Sequence, residues 1–125
     1  MRSFISRPGS FDQGRGLAAL WAGLLAGPLA WAASLEVNYV LSYVACETRA
    51  RWMLHLTTAL ALTLVGAGAI AAAQAWRAST RHAVDDATLA RVRFMALGGL
   101  AMCAWFALVI LATEIPALVL RPCTP

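Results

Sequence analysis

Along this 125-residue chain, uncharged apolar runs alternate with short charged stretches. The runs cover Gly16 to Leu35, Trp52 to Trp76 (with His55 taken as neutral) and Phe94 to Thr113. Each meets the length of roughly 20 residues that a helix needs to cross the hydrocarbon of a bilayer. Inside lipid every backbone N–H and C=O needs an internal partner, so helices are the expected form. The first run continues past Glu36 through Val37, Tyr39, Val40, Leu41, Tyr43, Val44 and Ala45, either as a long tilted helix or as an interfacial segment. The third continues past Glu114 and Pro116 through Ala117, Leu118, Val119 and Leu120. The pattern predicts an all-α bundle of three transmembrane helices forming a single membrane domain over 1–125, with spans at about 17–45, 52–76 and 94–120.

Composition strengthens this reading. Hydrophobic residues make up 61% and charged residues only 13%, against roughly a quarter charged in soluble domains. The natural solvent is therefore a bilayer. The net charge of +4 arises entirely from arginine, since there is no lysine. These arginines sit at segment edges without forming a dense patch, which excludes a nucleic-acid partner. They also sort by side. Arg2, Arg7, Arg15, Arg77, Arg81, Arg91 and Arg93 fall on one side of the three spans, and Arg49, Arg51 and Arg121 on the other. The positive-inside rule then predicts a cytoplasmic N-terminus and a periplasmic C-terminus, in a multi-pass protein of a bacterial inner membrane. Trp52 and Trp76 bracket the second span as interfacial anchors would. A cleavable signal peptide is the competing reading, with Ala30-Trp31-Ala32 as its small-x-small site, which would leave a two-span protein beginning at Ala33. The long polar tail before the run, and a run that does not end at that site, argue against it.

Lipid gives helices no hydrophobic reason to associate, so small residues that let backbones approach must supply much of the contact. The first span offers Ala19, Gly23 and Gly27 at four-residue spacing, and the third Gly99, Cys103 and Ala107. The second has Gly66, Gly68 and many alanines. These predict a bundle tight at its cytoplasmic end, although the same faces also suit the helices of a larger complex. Cys103 reads as a small packing residue. Asp85, Asp86 and Thr88 mark the start of the third helix, where acidic groups suit the positive end of the dipole, and His82 reads as a solvated loop residue.

The remaining polar residues gather on the outer side. Cys46 and Cys123 share the oxidising compartment under this topology, which predicts a disulfide between them; two free thiols or a soft-sulfur Cu(I) site are the alternatives. Measured from that bridge, Glu36, His55 and Glu114 each lie ~14 Å deeper in helical rise. Ser34, Asn38 and Ser42 repeat every four residues, Tyr39 and Tyr43 follow Glu36, and Thr58 follows His55 by about a turn. The expectation is an inward-facing polar belt of Glu36, Asn38, His55 and Glu114. It would serve as a proton or cation path, or as a docking point for a partner's polar group. The alternative is a set of headgroup-level residues, hydrated or paired with Arg49, Arg51 and Arg121. The cytoplasmic half carries no ionisable residue within the spans, which argues against a self-contained pump.

Catalytic motifs are absent from the sequence: there is no Ser/His/carboxylate set, no His-Glu-x-x-His, no Cys-x-x-Cys and no phosphate loop. No cofactor is expected. His55 and His82 fall on opposite sides, so they do not suit a bis-histidine haem, and Cys46, Cys123, Met53 and His55 do not make a copper spacing.

One resemblance adds to this reading. Gly27-Pro-Leu-Ala-Trp31, Glu36-Val-Asn-Tyr39, Cys46, Trp52-Met-Leu-His55 and Ile115-Pro-Ala-Leu-Val-Leu-Arg-Pro-Cys123 resemble small membrane proteins encoded beside bacterial haem-copper cytochrome c oxidase genes. The resemblance covers most of the chain. It implies a non-catalytic accessory subunit or assembly factor of a respiratory terminal oxidase, with oxidase subunits as partners. Glu36 and Glu114 depart from the neutral or amidic side chains of that pattern. A small oligomeric transporter or ion-conducting protein using the polar belt is the rival reading.

Overall fold

In a computed structural model, described here for residues 9–81 and 86–120 and for side chains from Gly14 onward, the chain is entirely helical among the described residues. Helix α1 spans Gly9–Thr48, α2 Trp52–Arg81 and α3 Asp86–Val119, and every pair of helices is in contact. All three are long and apolar enough to cross a membrane. Helix α1 is one unbroken element, so the stretch after Glu36 is helix and not a separate interfacial segment. At 40 residues it is about 60 Å long, well beyond the hydrocarbon thickness of about 30 Å. Pro28 and Pro116 lie inside helices. Each withholds one N–H from the ladder, and the packed neighbouring helices hold the chain in register.

The helix ends follow local chemistry. Asp86 opens α3, as the acidic start signal predicts, and Arg81 closes α2, each with the charge that suits the local dipole. Between α1 and α2 only residues 49–51 intervene. Arg49 takes φ 55°, the left-handed conformation that commonly terminates a helix and that glycine adopts most readily. Ala50 O and Arg51 O then accept the N–H groups of Met53 and Leu54, which starts α2 within the turn.

Packing follows one rule in all three helices. In α2 the buried residues are Thr58, Ala61, Val65, Gly68, Ala72 and Ala75, at alternating spacings of three and four. The buried seam of α3 runs through Ala96, Gly99, Cys103 and Ile110, and that of α1 through Leu20, Gly23, Gly27, Ala30 and Ser34. This repeat of about 3.5 residues is the signature of left-handed coiled-coil packing. The interior is made of small side chains: Ile110 and Cys103 are the largest that are fully buried. Most large apolar groups, including Leu29, Leu60, Leu64, Phe94, Trp105 and Leu108, face outward. Such a surface suits lipid rather than water. Hydroxyl groups bond to carbonyls one turn back, as Ser34 does to Trp31 O and Thr63 to Ala59 O. These bonds satisfy them within the helix.

Candidate functional site

The bundle has two unlike ends. At one, which carries the exposed Arg15, Arg77, Arg81, Arg91 and Arg93, the backbones meet. A methyl group added to Gly68 would lie 2.4 Å from Ala26 Cβ, and one added to Gly23 would lie 2.8 Å from Ala72 Cβ. A methyl on Gly99 would reach 3.2 Å from the Gly23 carbonyl carbon. Three glycines, one from each helix, therefore converge with Ala22, Ala26 and Ala72. Cys103 Sγ donates to Gly23 O at 3.2 Å across the same contact. Gly27 lies one turn further along, where a methyl would meet Phe106 and Met102 O at about 3.1 and 3.2 Å. Gly23, Gly27, Gly99 and Cys103 are thus all buried packing residues. Gly68 was the member hardest to see in sequence, because Gly66 two positions away looks the same. Gly66 faces open space, and the buried spacing Val65, Gly68, Ala72 is the signal that separates them.

The other end is polar. Glu114 on α3 accepts from Thr58 Oγ1 and pairs with His55 Nδ1, both on α2. The Glu114 side chain is only 15% exposed and that of His55 45%, so the pair spans the boundary between interior and surface. Beside Glu114 opens a cleft of about 280 Å³ lined by Asn38, Ser42, Leu54, Thr113, Pro116, Ala117 and Leu120. Asn38 Oδ1 is buried without a hydrogen-bond partner. The indole N–H of Trp31, deeper in the bundle and tilted against Phe106 at 5.7 Å, is also buried and unpartnered.

Three of the four expected belt residues therefore gather: His55 and Glu114 touch, and Asn38 lines the adjoining cleft. Glu36 does not join them. It is exposed, lying between the seam positions Ser34 and Asn38. At about 100° per residue, a position two away from each of these points to another face. Tyr39 and Tyr43 share its fate at 65% and 64% exposure, stacked edge-on with Tyr43 Oη donating to Tyr39 Oη at 3.3 Å. Ser42 is exposed as well, because a strict four-residue repeat drifts off a 3.5-residue seam. In depth, by contrast, Glu36 does match the cluster. Counting from the glycine contact, Glu36 lies within about a turn of Glu114 and Thr58.

Cys46 is not a free thiol, and its expected partner Cys123 lies outside the described residues, as do Arg2, Arg7, His82, Asp85 and Arg121. Cys103 is a buried free cysteine. Among the described residues no group of three or more His, Cys, Asp or Glu side chains is arranged to hold a metal ion. Comparison with known protein families, curated proteins and solved structures finds no match.

Proposed function

We propose that this multi-pass membrane protein acts by binding, as a non-catalytic accessory subunit or assembly factor of a respiratory terminal oxidase in a bacterial inner membrane. Its N-terminus is then cytoplasmic, its C-terminus periplasmic, and a Cys46–Cys123 disulfide ties the end of α1 to the C-terminal tail. The observation that carries the binding role is the contrast along the bundle axis. Partly buried polar groups beside an open cleft occur at the Glu114 end, while at Gly23, Gly68 and Gly99 the three helices are closed together by backbone contact. The oxidase assignment rests on the sequence resemblance, and the orientation on the arginine distribution. Extraction of tagged protein from native membranes in mild detergent tests it. Oxidase polypeptides and haem absorbance co-purify if it is right, and their absence removes it.

A second reading, a small oligomeric transporter, draws on the His55–Glu114–Thr58 cluster, an ionisable group of the kind found on ion pathways. It requires the path to form between copies, since each bundle is closed at Gly23, Gly68 and Gly99. Reconstituted flux that falls to the empty-vesicle level in Glu114→Gln supports this reading. Wild-type flux at that level excludes it.

A further inference from the structure

The cleft at the Glu114 end is rich in acceptors. An ionised carboxylate offers about four acceptor sites, and Glu114 spends one oxygen on His55 and the other on Thr58, leaving sites free on both. Ser42 and Thr113 donate their hydroxyl hydrogens to Tyr39 O and Ile110 O, so their oxygens remain as acceptors. Asn38 Oδ1 is buried and unpartnered. The helix end itself adds negative potential, because α3 finishes at Val119 just beyond the cleft. Such a site asks for a cation carrying several N–H donors. Leu54, Ala117 and Leu120 give it apolar walls, and its volume of about 280 Å³ is just below the range of sites that enclose drug-sized molecules. It has the size for a headgroup rather than for a whole ligand.

We propose that this cleft binds a primary ammonium group, supplied by an ethanolamine phospholipid in the leaflet that the Glu114 end reaches. The membrane places that lipid beside the cleft, and an ammonium carries three N–H donors for the acceptors already named. A choline headgroup has the same charge and no N–H, so the site discriminates between the two. His55 already shares one oxygen of the Glu114 carboxylate, so an incoming ammonium meets the sites that remain. Among the described residues, the other titratable or charged side chains near this end, Glu36, Tyr39, Tyr43 and Glu47 on α1 and Arg49 and Arg51 in the turn before α2, are exposed and do not line the cleft. The proposal does not depend on the oxidase assignment.

The test is native mass spectrometry of the full-length protein, released from vesicles of equal dioleoyl-phosphatidylethanolamine and dioleoyl-phosphatidylcholine. The wild type retains the ethanolamine lipid over the choline lipid by about fivefold or more. Glu114→Gln and Asn38→Leu bring the ratio to about one, while Glu36→Gln keeps it. An even ratio in the wild type overturns the proposal, as does undiminished enrichment in a Glu114→Gln protein with wild-type circular dichroism. If Glu114→Gln fails to fold, Asn38→Leu carries the same decision. Water-soluble glycerophosphoethanolamine provides the other arm: if it binds in a Glu114-dependent way while the lipid shows no enrichment, the lipid source is wrong.

Discussion

The two ends of the bundle solve the same problem in opposite ways. At Gly23, Gly68 and Gly99, contact comes from removing side chains, so the helices meet through backbone, methyl groups and one thiol, with Leu20, Ala75 and Ala96 packed together beyond them. At the Glu114 end, contact comes from a carboxylate that links α3 to α2 through His55 and Thr58. The first arrangement brings backbones together and the second leaves a cleft beside a carboxylate. In lipid, where burial of apolar surface does not favour one helix arrangement over another, close packing must carry stability. The polar end is then free to be open. Close packing and the open polar cleft are therefore held by different residues, roughly 15–22 Å apart in helical rise.

That separation can be broken by substitution. The largest effect is expected at Gly68, where a methyl collides with Ala26 at 2.4 Å. Gly68→Ala should cost about 1–3 kcal/mol in reversible unfolding from mixed micelles. Next, and of opposite sign, is Arg49→Gly, which removes the penalty of a left-handed non-glycine residue and should stabilise by about 1 kcal/mol in the same measurement. Glu114→Gln should change stability by less than about 1 kcal/mol, because the single Thr58 hydroxyl hydrogen has Leu54 O as an alternative acceptor and His55 is partly exposed. A loss there equal to that of Gly68→Ala would place stability at both ends and end the comparison. The smallest effect belongs to Gly66→Ala, two residues from Gly68 but facing open space, which should gain up to about 0.5 kcal/mol.

Span number, helical class and the small residues of α1 and α3 were legible in sequence because lipid imposes length and composition directly. Which side of each helix faces inward was less legible. Apolar residues occur all round these helices, so hydrophobicity carries no facing signal, and the polar residues were read at a four-residue repeat. That period correctly joined Gly23 to Gly27 over a single turn. Carried from Ser34 to Ser42, it drifted off the seam, and Glu36 was turned inward with it. Depth depends only on rise along the axis, which is why His55 and Glu114 were matched across 59 positions of sequence. The cleft beside them was not legible, since Leu54, Thr113 and Ala117 carry no chemical signature until three helices converge on them.

Synthesis from the N-terminus sets an order of events in time, and the three-residue turn at Arg49–Arg51 fits it. Helices joined by so short a connection find each other through local search, so the α1–α2 hairpin can close while α3 is still arriving. Gly99 then docks against a surface that Gly23 and Ala72 have already formed. A chain interrupted during assembly would therefore hold a finished hairpin and a loose third helix, exposing the Gly23 backbone and Glu114's partners to quality control.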